Sequence, residues 1–135
     1  MTTNAGGSTA INGATITTTG AQTYNDAVTL GAGTTLTTTD SAVTFGSTLD
    51  NAQALTVSTG SGAITFTGVV GGTTALGALT LNSTGVTTFS AAVTAASVTT
   101  NAGGSTRIPS GLGFFRNKLL QDQVTSGARF LKSRP

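Results

Sequence analysis

The side chains able to do chemistry in this chain are mostly hydroxyls. Histidine and cysteine are absent, and the acidic residues are four aspartates, Asp26, Asp40, Asp50 and Asp122. General bases, activated nucleophiles and oxyanion clamps are usually built from His, Cys, Glu, Lys or Arg. Residues 1–106 contain none of these five types. Their three aspartates fall at different offsets from the nearest apolar residues, so no carboxylate pair is set up. Each reads as a turn or strand-end residue. The glycine pairs Gly31/Gly33, Gly60/Gly62 and Gly111/Gly113 lack the third glycine of a dinucleotide loop and the lysine of a phosphate loop, and read as turns. The aspartate-bearing nonapeptide that binds calcium in some β-helices is missing. Asn82-Ser83-Thr84 has the form of an N-glycosylation acceptor. The expectation is a noncatalytic protein with no cofactor, no metal ion and no specific nucleic-acid partner.

The elements that carry these hydroxyls repeat. TTNAGGST occurs as Thr2–Thr9 and again as Thr99–Thr106, 97 residues apart. Between the copies, ITTTGAQTY, LTTTDSAVTF, LTVSTGSGAITF and LTLNSTGVTTF align with VTTNAGGSTRI in apolar columns. The first column is Ile16, Leu36, Leu55, Leu79 and Val98; the second is Tyr24, Phe45, Phe66 and Phe89; the third is Val28, Leu49, Val70 and Val93. Thr and Val favour strands, Gly and Asn mark turns, and alternating side chains leave opposite faces of a strand. Short periods of this kind belong to solenoids. The predicted fold is therefore all-β, a parallel β-helix of about five coils over residues 1–106, with the columns as its core ladder. An antiparallel sandwich would not explain why the same residue types recur in a column. Extending the first column backwards places Met1 in the position of Val98, as a piece of a longer array would.

Alternation then assigns an outward threonine beside each inward apolar residue. One row is Thr2, Thr17, Thr37, Thr56, Thr80 and Thr99; another, one residue before each aromatic, is Thr23, Thr44, Thr65 and Thr88. Two functional readings follow. Thr is a soluble strand former, which suits a structural spacer. Regular rows of methyl and hydroxyl groups also suit a ligand-binding solenoid, for ice or polysaccharide.

Charge divides the chain at the end of the second TTNAGGST. Residues 107–135 carry Arg107, Arg116, Lys118, Arg129, Lys132 and Arg134 against Asp122. This basic tail does not repeat and is expected to be disordered or to fold, over about 108–125, as a short capping helix on the last coil. The first residues show no basic and apolar pattern of a secretion signal, and no apolar run is long enough to span a membrane.

The segments TTTGAQTYNDAVTLGAGTTLTTT, ALTVSTGSGAITF, VVGGTTALGALTLNSTG and AASVTTNAGGST resemble the β-strand repeats of large bacterial filamentous-haemagglutinin-like surface adhesins. The resemblance covers residues 1–106. It implies an exported, extended stalk at the cell surface, flanked by neighbouring repeats of a longer parent array, and it transfers no binding residues. The host or matrix ligand is not indicated. Open solenoid ends imply end-to-end self-association.

Overall fold

The structure is a computed structural model of the 135-residue chain and describes residues 1–101, 103–108 and 118–120. Among the described residues every regular element is a strand. The first coil comprises β1 (Thr2–Thr3), β2 (Ser8–Ile11) and β3 (Thr15–Thr18); the second, β4 (Gln22–Tyr24), β5 (Ala27–Leu30) and β6 (Thr34–Thr38). The third comprises β7 (Val43–Phe45), β8 (Leu49–Asp50) and β9 (Leu55–Gly60). The fourth contains β10 (Ile64–Phe66) and β11 (Leu76–Ser83), the fifth β12 (Val86–Phe89) and β13 (Ala95–Thr100), followed by β14 (Ser105–Arg107) and β15 (Lys118–Leu120).

These strands stack into three parallel sheets, one per face of a β-solenoid. Face A runs β1-β4-β7-β10-β12-β14, face B runs β2-β5-β8, and face C runs β3-β6-β9-β11-β13-β15. Beyond β8, face B continues as single bridges from Leu49 to Val70 and from Val70 to Val93. The chain thus visits A, B and C in turn, and each coil hydrogen-bonds to the next.

Alternation closes the core. On face A, Tyr24, Phe45, Phe66 and Phe89 point inward and are almost fully buried. Their rings stack with centroids 5.1, 5.0 and 5.0 Å apart and interplanar angles of 13°, 3° and 8°. Offset parallel stacking contributes roughly 0.5–1.5 kcal/mol per pair beyond the area buried. Face B supplies the inward column Val28, Leu49, Val70 and Val93.

Face C corrects the expected first column. Ile16 pairs with Leu36, but Leu36 pairs with Val57, which pairs with Leu81. Leu55 instead aligns with Thr34 on one side and with Leu79 and Val98 on the other. The real columns are Ile16-Leu36-Val57-Leu81 and Thr34-Leu55-Leu79-Val98, two residues apart. A slip of two keeps every side chain on its face, so Leu36, Leu55, Leu79 and Val98 are buried in either register, and Ile16 is half-buried at the rim.

The two TTNAGGST copies lie on different faces. Thr2–Thr9 runs from β1 on face A to β2 on face B, whereas Thr99–Thr106 runs from β13 on face C to β14 on face A. Met1 therefore does not take the place of Val98: it is 48% exposed beside face A, while Val98 is 2% exposed on face C. The stretch from Thr2 to Ile16 is too short for a full coil: it leaves face A, crosses face B and only reaches face C.

Of the expected cap, Ile108 is buried, and Lys118–Leu120 is a strand parallel to β13 rather than part of a helix. The remainder of the 108–125 segment lies outside the described residues.

Candidate functional site

Face C carries the most regular polar surface. Its central outward row is Thr15, Thr35, Thr56, Thr80 and Thr99, aligned strand to strand without interruption. The row beside it is Thr17, Thr37, Ser58 and Asn82. Thr17 and Thr37 therefore do not share a row with Thr56 and Thr80, because the two-residue slip of the core displaces the outward rows equally. Parallel pairing spaces neighbours within a row by about 4.8 Å, and the two rows lie roughly 6.6 Å apart along the strand. No Asp, Lys or Arg belongs to either row.

Face A presents a second threonine row, Thr2, Thr23, Thr44, Thr65 and Thr88, which ends at Arg107. Thr2 thus belongs with Thr23 rather than with Thr17. Both faces are flat arrays of methyl and hydroxyl groups. The two rows of face C contain no charged side chain, and that of face A meets one at Arg107.

Asp26, Asp40 and Asp50 bind coils together. Asp26, 6% exposed, accepts the hydroxyls of Thr3 at 2.7 Å and Thr9 at 2.8 Å. Those two bonds hold its carboxyl below the usual range. Asp40, at φ 51°, accepts from the amide and hydroxyl of Ser61 in the next coil at 2.9 and 3.1 Å, and its pKa is lowered by them. Burial pushes Asp50 up, but the amides of Thr74, Asn51 and Thr73, aided by the Thr73 side chain, outweigh it and leave the pKa lowered. Among the described residues no three His, Cys, Asp or Glu side chains gather into a metal site.

Two further polar features are structural. Gln22 is buried in face A, where its Nε2 donates to Ile16 O, Thr18 Oγ1 and Thr37 O at 3.2, 3.2 and 3.0 Å. Its Oε1 accepts the Tyr24 hydroxyl at 3.0 Å, and burial raises the Tyr24 pKa to about 12. At the corner between faces C and A, Thr18, Thr38 and Thr59 each donate to a carbonyl of the following turn, Gly20, Ser41 and Gly62.

No family model, curated protein or solved structure matches the chain.

The three expected site groups are thus distributed by face. The aromatic ladder lies inside face A, its threonines outside, and the remaining threonines on face C. Sequence reasoning overlooked Thr15 and Thr35, which complete the central row, because the alignment anchored on Leu36 and Leu55. It also overlooked Gln22, whose signal was its place two residues before Tyr24, where Val43 and Ile64 stand before Phe45 and Phe66.

Proposed function

We propose that the chain is a noncatalytic structural repeat segment, a spacer within a longer array of the kind found in filamentous-haemagglutinin-like bacterial surface adhesins. The observation that carries this reading is propagation. Inward aromatics and outward threonines recur from coil to coil on face A, and outward threonines recur on face C, a pattern that stacking of further coils would extend. The uncharged threonine rows of face C and aspartates that tie coil to coil fit a rod whose task is length. The neighbouring repeats are its partners, and the cell surface is the location that this reading implies. Tandem proteins of one, two and three 97-residue units test it. Rod length measured by small-angle scattering should grow in proportion to unit number, and glycan arrays and whole-cell adhesion should record no saturable binding. Compact particles of constant length would sink the spacer reading.

One observation favours a second reading, a ligand-binding solenoid for ice or polysaccharide. It is the unbroken row Thr15-Thr35-Thr56-Thr80-Thr99. Thermal hysteresis or polysaccharide retention that disappears in Thr56→Lys would support it, and the absence of both in the parent protein would remove it.

A further inference from the structure

The octapeptide that appears twice closes its first copy on an aspartate of the next coil. In the first copy, Thr3 and Thr9 flank the corner between β1 and β2, and both hydroxyls grip Asp26 of the next coil. The same sequence positions in the second copy are Thr100 and Thr106, flanking the corner between β13 and β14. The Thr100 hydroxyl is buried and has no hydrogen-bond partner among the described residues. A buried hydroxyl left unpaired has lost its water without gaining a partner, which destabilises the fold. Its counterpart Thr3 shows what satisfies a hydroxyl at this place: an aspartate carboxylate arriving on the following coil.

We propose that Thr99–Thr106 is a docking segment for a second copy of this chain, in which it displaces that copy's own Thr2–Thr9 and hands the Thr100 hydroxyl to the second copy's Asp26. The exchange replaces like with like. Residues 2–11 and 99–108 differ only at Ala10 and Arg107, and Ala10 lies on an exposed position of β2, so the receiving coil meets the same inward groups. The pairs given up, Thr2 with Thr23 and Thr9 with Val28, are remade by Thr99 and Thr106. Because the second octapeptide spans faces C and A instead of A and B, the docked copy is turned by one face about the rod axis. Its β3 then continues the remaining face. Exchange of identical elements between copies is a low-cost route to assembly, and here each molecule offers one donor and one acceptor, so the contact is head-to-tail and propagates.

β15 occupies the outer edge of β13 at Ser97, Val98 and Thr99, where the incoming β4 would pair. The tail therefore competes with exchange. The inference does not rest on the adhesin reading and holds for the chain alone.

Sedimentation velocity over a concentration series provides the test, with the full chain, a variant lacking residues 109–135, and Thr100→Val in each background. Thr100→Val keeps the shape of a side chain whose hydroxyl is unpaired, so thermal melting of the monomer should not fall. The expected result is a ladder of head-to-tail oligomers, stronger without the tail and weakened about tenfold or more by Thr100→Val. Thr44→Val, on the outer row of face A, should leave it unchanged. Monomers at every concentration in both backgrounds, or association that ignores Thr100→Val, would overturn the proposal.

Discussion

Phe66 shows how much one side chain carries in so thin a core. Its ring lies between Phe45 and Phe89 at 5.0 Å on each side. Phe66→Ala removes two stacking contacts and leaves a cavity, with an expected loss of about 3–5 kcal/mol; urea denaturation of the two proteins checks this, and a loss below about 1 kcal/mol would contradict a shared core ladder. Gln22 is the polar counterpart. Its Nε2 joins strands of the first two coils and its Oε1 accepts from Tyr24 of the same strand, so Gln22→Leu takes this partner from the Tyr24 hydroxyl and from the Ile16 and Thr37 carbonyls. The expected cost is about 1–3 kcal/mol. A double substitution, Gln22→Leu with Tyr24→Phe, should recover part of it, because the stranded hydroxyl is then gone.

Strands and corners were unequally legible in the sequence. The columns Tyr24-Phe45-Phe66-Phe89 and Val28-Leu49-Val70-Val93 were visible because the elements containing them keep one residue pattern and nearly one spacing. Face C was legible in parity but not in register: Leu36 can align with Leu55 or Val57 without moving any side chain between core and solvent, and only hydrogen bonding to the neighbouring strand separates the two. The different placement of the identical TTNAGGST copies was beyond any local reading, since the coil against which each copy pairs decides its face. Corners hide a further regularity. Gly62, Gly85 and Gly104 each stand two residues before an inward residue of face A, and a Cβ on any of them would run into the backbone of the preceding coil, at Ser41, Ser61 and Ser83. Gly62→Ala should therefore destabilise by about 1–3 kcal/mol through forced backbone displacement. Gly33→Ala is the matched control, because nothing lies within 4 Å of its Cβ position; its melting temperature should hold or rise slightly through lower unfolded-state entropy. Equal losses in both variants would show that the corner is not sterically closed.

For the whole rod, the aspartates make acid the condition that separates the coils. Asp26 ties the second coil to the first, Asp40 the second to the third, and Asp50 the third to the fourth. All three pKa values are lowered in the fold, below an unfolded value of about 3.9. The unfolded chain therefore binds protons first as pH falls, and stability rises with pH through this window. The contribution is complete above the unfolded value and is lost as pH drops through the folded ones. Burial works against ionisation at Asp50, but there the hydrogen bonds from the Thr74, Asn51 and Thr73 amides outweigh it, so its sign is the same. The thermal midpoint should consequently be flat from neutral pH down to about pH 5 and fall steeply below about pH 4. Replacing Asp26, Asp40 and Asp50 together by Asn should lower the neutral midpoint and flatten the acid limb. A parent protein whose midpoint does not change between neutral pH and about pH 2 would show that these carboxylates contribute nothing net to holding coil on coil.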